Sequence, residues 1–180
     1  METLKGIHIK LRALEPEDLA FLFDSENNEA NWKVSGTQVP FSKYILKQYL
    51  ESSHKDIYEA KQLRLVITSI DDTLVMGMID LFDFDPQHKR AGVGILIKDS
   101  FREQGIASEA LQVLISYAFH YLDLHQLYAN VTTDNKTSMH LFEKHGFKRI
   151  GIKKDWIYTN ATYIDEASYQ LLNSSQKKKK

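Results

Sequence analysis

Between residues 92 and 111 the chain changes its period. Val93, Ile95, Leu96 and Ile97 make a short apolar run of the kind buried strands carry. Arg102-Glu103-Gln104-Gly105 interrupts it. From Ile106 onward Ala107, Ala110, Leu111, Leu114 and Ala118 recur three or four apart, which is helical spacing. A strand, a polar turn with one glycine and a helix follow one another. The first N–H groups of a helix have no partner within it and lie at the positive end of its dipole, so phosphate suits that position. Gly105 lets a ligand approach the backbone, and Arg102 adds a forked, charged donor. The turn reads as an anion site or as an ordinary connection, and these residues alone leave both open.

The rest of the chain sets that stretch in a mixed sheet. Ile7, Ile9 and Leu11 alternate with His8, Lys10 and Arg12, predicting a first strand with one buried face. Glu15-Pro16-Glu17-Asp18 predicts a helix start, with Leu19, Leu22 and Phe23 as the apolar stripe and Asn27-Asn28 as its end. Residues 31–40, around Trp32, are expected to be irregular. Ser42 suits the N-cap of a second helix striped by Ile45, Leu46, Tyr49 and Leu50. Leu63, Leu65 and Ile67 predict a second strand and residues 74–84 a third, which with the opening run make an antiparallel meander. The helix after Gly105 is long enough to cross to a parallel strand at residues 127–132. Asp134 or Asn135 caps a helix over residues 136–144, and Gly146 stops it. Two strands are expected near residues 147–152 and 165–172. No repeat or interdomain linker interrupts this order. The expectation is one α/β domain over residues 1–173, followed by a disordered Lys-rich tail at 174–180.

Several function classes are excluded. There is no Cys, so disulfides and thiolate metal sites are absent, which fits a reducing cytoplasm. No apolar run reaches the roughly 18 residues of a membrane span, and the N-terminus does not read as a signal peptide. No His-Glu-x-x-His, Walker loop or Gly-x-Ser-x-Gly turn occurs, so no metal is expected. Net charge is −1, but Lys177 to Lys180 supply four positive charges and the remainder carries −5. That balance argues against nucleic acid and suits a cationic amine.

The motifs also carry a resemblance. Arg102-Glu103-Gln104-Gly105-Ile106-Ala107 resembles the [Gln/Arg]-x-x-Gly-x-[Gly/Ala] signature of the GNAT acetyltransferases. Residues 11–19 are similar to the opening Leu-Arg-x-Leu-x-x-x-Asp-Leu of the branch containing spermidine and ribosomal-protein N-terminal acetyltransferases. Residues 135–147 resemble the family's Asn-x-x-[Ser/Ala]-x-x-[Leu/Ile]-Tyr-x-x-x-Gly-Phe, and Tyr163 and Asp165 match a late Tyr-x-Asp. The resemblance implies a mixed, mostly antiparallel sheet with flanking helices and a splayed central strand pair. It implies acetyl-CoA as co-substrate, with the pyrophosphate on residues 102–107. Pantetheine would lie along Ile95, Leu96 and Ile97 and meet Asn135.

Two positions depart from the pattern. Phe142 stands where many relatives have the Tyr that protonates the departing thiolate, and Phe has no proton to give. Phe142 would still pack near the thioester. Ser138, one turn earlier, is the substitute candidate. Gly92 stands where polyamine-acetylating relatives often have Glu, so no base sits there. Asp80 and Asp83 on the third strand are the candidate bases. Asp80 is preferred because period-2 spacing sets it on a face with Met76, Met78 and Phe82. An oxyanion donor is expected from backbone N–H near Leu96. The expected function is acetyl transfer to a primary amine, either a polyamine or small amine or a protein N-terminus. The alternative is a non-catalytic CoA-binding domain of the same fold. A homodimer is a family-level expectation.

Overall fold

The computed structural model describes residues 2–53 and 55–174. Strands β1 (Ile9–Ala13), β2 (Leu63–Ser69), β3 (Val75–Asp85), β4 (Arg90–Ile97), β5 (Gln126–Thr132), β6 (Lys148–Thr159) and β7 (Thr162–Leu172) form one sheet. Its order is β1-β2-β3-β4-β5-β7-β6. Every neighbouring pair is antiparallel except β4–β5, which is parallel. Helices α1 (Leu19–Glu26), α2 (Glu29–Ser35), α3 (Lys43–Glu51) and α4 (Ile57–Ala60) lie between β1 and β2. Helix α5 (Ile106–His120) follows β4, and α6 (Lys136–Lys144) follows β5.

Strand alternation divides the core between the two faces. Leu65 and Ile67 of β2 pack in one cluster with Ala110, Leu111, Leu114 and Ala118 of α5. Val66, between them in sequence, packs in a second cluster with Leu22 of α1 and with Leu46 and Leu50 of α3. The sheet is thus the central layer, with α5 and α6 on one face and α1 and α3 on the other.

The strands diverge where the site forms. β4 and β5 pair only at Arg90–Gln126, Ala91–Leu127 and Gly92–Tyr128. β4 then stays with β3 as far as Ile97, while β5 stays with β7 as far as Thr132. The expected splayed pair is present. At its last paired rung the Phe82 ring covers Gly92, where a Cβ would overlap it. Tyr128 meets that ring edge-on at 5.8 Å.

Four expectations change. Residues 31–40 are not irregular throughout, because α2 carries Trp32: Asn28 caps it by accepting from Ala30 N–H, and Gly36 ends it at φ +72°. The short helix α4 was not foreseen. The last two strands are far longer than expected, twelve and eleven residues. Ile7 lies outside β1 and is exposed. The Lys-rich tail beyond Ser174 lies outside the described residues.

Candidate functional site

The turn after β4 is built by backbone conformation. Gly105 holds φ +82° as the N-cap residue of α5 and offers no side-chain cap to the helix. A Cβ there would meet no protein atom within 4 Å, so the space above it is open to a ligand. Glu103 takes a left-handed φ of +62°. Gln104 donates to the Ser100 carbonyl at 2.9 Å, and Arg102 pairs with Asp99 at 2.8 Å. Ile106 is buried and anchors the first turn of α5. Ser108 Oγ lies 2.8 Å from His145 Nε2 at the end of α6, joining the two helices. Burial holds the His145 ring below its ordinary pKa.

A cavity of about 260 Å³ fills the gap between the diverging strands. Val93, Gly94 and Ile95 wall it on the β4 side, and Asn130, Val131 and Thr132 on the β5 side. Asn135, Ser138 and Phe142 of the α6 region close one end. Phe142 is buried with Phe147 and Tyr169 in the α5-side core. Asn135 caps α6 by accepting from Ser138 N–H at 3.1 Å. Phe82, Glu166, Lys33 and Gly36 line the other end. Lys33 of α2 pairs with Asp134 and holds that carboxyl below the usual carboxylate range. The cavity therefore crosses the sheet, with α6 at one mouth and α2 with Glu166 at the other.

The β4 backbone is oriented for a ligand. Lys98 N–H donates to the Met76 carbonyl at 2.9 Å, and the Leu96 carbonyl lies against Gly77. Even-numbered residues of β4 thus turn their backbone to β3. By alternation, Ile95 and Ile97 present theirs to the gap. Of the N–H groups near Leu96, that of Ile95 faces the gap and that of Leu96 faces β3. Leu96, Ile97 and Arg102 also border a separate cleft of about 320 Å³ beside Phe21, Asp24 and Asn28.

Asp80 is not among the residues lining the cavity. Both of its oxygens accept from Arg64, with contacts of 2.9–3.2 Å, and Arg64 also reaches Glu26 at 2.6 Å. Burial opposes the Arg64 charge, but the charge of Asp80 and its hydrogen bonds outweigh this and raise the guanidinium pKa. That carboxylate is thus turned to Arg64 rather than to the cavity. Met76 is not on its face either: a bulge opposite Ile67 and Thr68 turns Met76 into the α5-side core, while Met78 stays in the other cluster. Asp83 sits in a second bulge at φ +47° and accepts from Tyr128 at 3.2 Å. Burial, then Asp83, push the Tyr128 hydroxyl up to about 12.

Glu166 is the carboxylate among the cavity's lining residues, and the sequence candidates for a base, Asp80 and Asp83, did not include it. Asp165 matches the late motif but accepts from Lys154 and from Asp155 N–H. Glu166 faces Thr132 across the β5–β7 pair and is held by Lys153 at 2.7 Å, whose ammonium lies 4.8 Å above the Trp156 ring. Its signal was the alternation of β7, where Ala167 and Tyr169 are apolar and Glu166, Ser168 and Gln170 polar.

Comparison with known proteins agrees with this geometry. The family model described as the acetyltransferase (GNAT) domain matches residues 8–148. The spermidine N(1)-acetyltransferase of Vibrio cholerae is 27% identical over 166 residues, 92% of this chain and 94% of that protein. The uncharacterised N-acetyltransferase YoaA of Bacillus subtilis is 32% identical over 162 residues, 90% of this chain and 92% of its own. The crystal structure of the Vibrio cholerae spermidine N-acetyltransferase in complex with CoA and spermine superposes with a TM-score of 0.83 at 26% identity, covering 93% of this chain and 96% of that one.

Proposed function

The chain belongs to the GNAT acetyltransferase family as an acetyl-CoA-dependent N-acetyltransferase, and we propose that its acceptor is a polyamine or a comparably small primary amine. The observation that carries this reading is the divergence of β4 from β5 beyond Gly92–Tyr128, which opens a cavity through the sheet. Its residues fit acetyl-CoA: an unpaired β4 edge can bond an extended pantetheine arm, and the uncapped start of α5 suits the diphosphate. When bound, acetyl-CoA supplies an acetyl thioester for the amine to attack and a thiol that leaves.

The chain's own groups take the remaining parts. Ile95 N–H donates to the carbonyl oxygen as it gains charge. Glu166, held by Lys153, takes the proton of the entering ammonium, directly or through one water. Ser138 would give a proton to the departing thiolate in place of the missing Tyr and regain one from water, which takes the second proton of the attacking nitrogen; Phe142 would pack behind the thioester. Asp80 serves to position Arg64. A net −5 outside the Lys tail favours a cationic acceptor, and the relative from Vibrio cholerae is named for spermidine.

The test is release of CoA thiol from acetyl-CoA by purified protein, with spermidine, putrescine, an amino sugar and a ribosomal-protein N-terminal peptide in parallel. Turnover with spermidine or putrescine and not with the peptide is the expected result. Turnover with the peptide alone overturns the acceptor assignment and leaves the transferase intact.

A further inference from the structure

The glycines of β3 and β4 are not alike. A Cβ on Gly77 would overlap the Leu96 carbonyl, and a Cβ on Gly92 would overlap the Phe82 ring. Both positions are glycine because the protein itself leaves no room. Gly94 is different. The nearest atoms to a Cβ there are Asp80 Cβ and two carbons of the Phe82 ring, all at 3.9 Å, an ordinary van der Waals separation. Its φ is not left-handed either. An alanine would therefore fit, and glycine inside a strand costs about 0.5–1 kcal/mol relative to alanine. The fold gains nothing visible from this residue.

What Gly94 provides is space inside the cavity. It lines the gap between the strands, two residues past the last β4–β5 rung, so no β5 backbone stands opposite it. The missing side chain would point to the face of Phe82 and Asp80, which is also the face of Glu166. Asp80 turns its carboxylate to Arg64, so the notch is walled by the Phe82 ring and by aliphatic carbon. It is one methyl group deep, apolar, and on the opposite side of the sheet from Ser138 and Phe142. A methylene chain fits such a notch; a charged or hydrated group does not.

We propose that Gly94 determines acceptor specificity: the carbon chain next to the reacting amine lies flat on the β4 backbone at Gly94, against the Phe82 ring, so the site takes an unbranched primary alkylamine. This rests on the reading of the site as an amine acetyltransferase and names its substrate class. The notch faces the acceptor side, so filling it acts on the acceptor and leaves the cofactor untouched.

The experiment is Gly94→Ala, with three readouts: steady-state kinetics with spermidine and putrescine, calorimetric affinity for CoA, and melting temperature. One added methyl group in an apolar site is worth about tenfold or more in discrimination. The expected result is that much loss of kcat/KM for the alkylamines, with CoA affinity within about twofold and a melting temperature unchanged or raised. An alkylamine kcat/KM that stays within about twofold overturns the proposal. So does a loss of activity matched by an equal loss of CoA affinity. If the wild-type protein acetylates only the N-terminal peptide, the acceptor reading fails, and the alkylamine assignment with it. Wild-type alkylamine turnover that is indifferent to Gly94→Ala removes the notch alone.

Discussion

Asp80 and Glu166 divide at the residue scale what a sequence reader would assign to one carboxylate. Asp80 has the more complete set of partners, and Glu166 has the position. Glu166→Gln keeps the size of the side chain and removes the proton acceptor, so kcat should fall about 10²- to 10⁴-fold. Calorimetric affinity for CoA should not change; a variant of wild-type activity would leave Glu166 with a structural part only. Asp80→Asn should behave in the opposite way. It strips one carboxylate from Arg64, which together with Glu26 and Asp80 retains under a fifth of its side-chain exposure. Removing one partner of a buried pair costs about 3–5 kcal/mol, and the remaining solvent access and Glu26 bring this to about 2–3 kcal/mol. In a chain of this size that is a fall of roughly 5–10 °C in melting temperature. Activity measured well below the transition should survive. A stable Asp80→Asn variant without turnover would restore Asp80 as the base.

Elements show why part of the fold was legible and part was not. The meander, the crossover and α6 follow from strong local signals: period-2 runs, a period change at Ile106, and caps at Asn135 and Gly146. Helix α2 escaped because Glu29–Ser35 has no apolar stripe, and what fixes it is Asn28 at one end and the Trp32 indole donating to the Glu26 carbonyl at 2.8 Å. The length of β6 escaped because twelve residues with almost no burial do not alternate. Bulges at Met76 and Asp83 are invisible to a strict period and reversed the face of Met76. The start of β1 depends on a tertiary tie that no local pattern records. Glu109 in the first turn of α5 accepts from the N–H groups of Ile7 at 2.5 Å and His8 at 2.8 Å. Burial works against its ionisation, but hydrogen bonds from His8, then Ile9 and Ile7, outweigh it and hold the carboxyl below its ordinary value of 4.5. A depressed carboxylate contributes stability above its unfolded pKa and loses it as pH falls. Glu109→Gln keeps an acceptor oxygen but gives up the charge, worth about 1 kcal/mol. Its melting temperature should lie below the wild type's at pH 7, and the two should converge on acidification below pH 4.5. A gap that persists at pH 3 would mean that packing, not charge, sets the tie.

At the scale of the whole molecule, the sheet is two sub-sheets joined at one narrow seam. β1 to β4 form one side and β5 to β7 the other, and between β4 and β5 only three residue pairs close the ladder. Helix α5 packs on the β1–β4 side and α6 on the β5–β7 side, with Ser108 and His145 tying one to the other across the seam. A ligand that bonds the free edge of β4 and packs against α6 adds contacts where the protein has fewest. Acetyl-CoA should therefore act as the missing rungs. At about 100 times its dissociation constant it should stabilise the fold by about 2.7 kcal/mol. For a domain of 150–250 residues that is a rise of roughly 5–10 °C in melting temperature. The location of the effect is the sharper test. Amide exchange should slow most at residues 93–97, 102–108 and 129–138, on both sides of the seam and at the start of α5. Residues of β1 and β2 should change little beyond the global shift. Gly105→Trp puts a ring into the open space above the turn and strains a φ of +82°. It should lower the melting temperature of the free protein modestly and abolish both the thermal shift and the local protection. Protection spread evenly over the sheet, or a thermal shift that survives Gly105→Trp, would mean that the cofactor is held somewhere other than this seam.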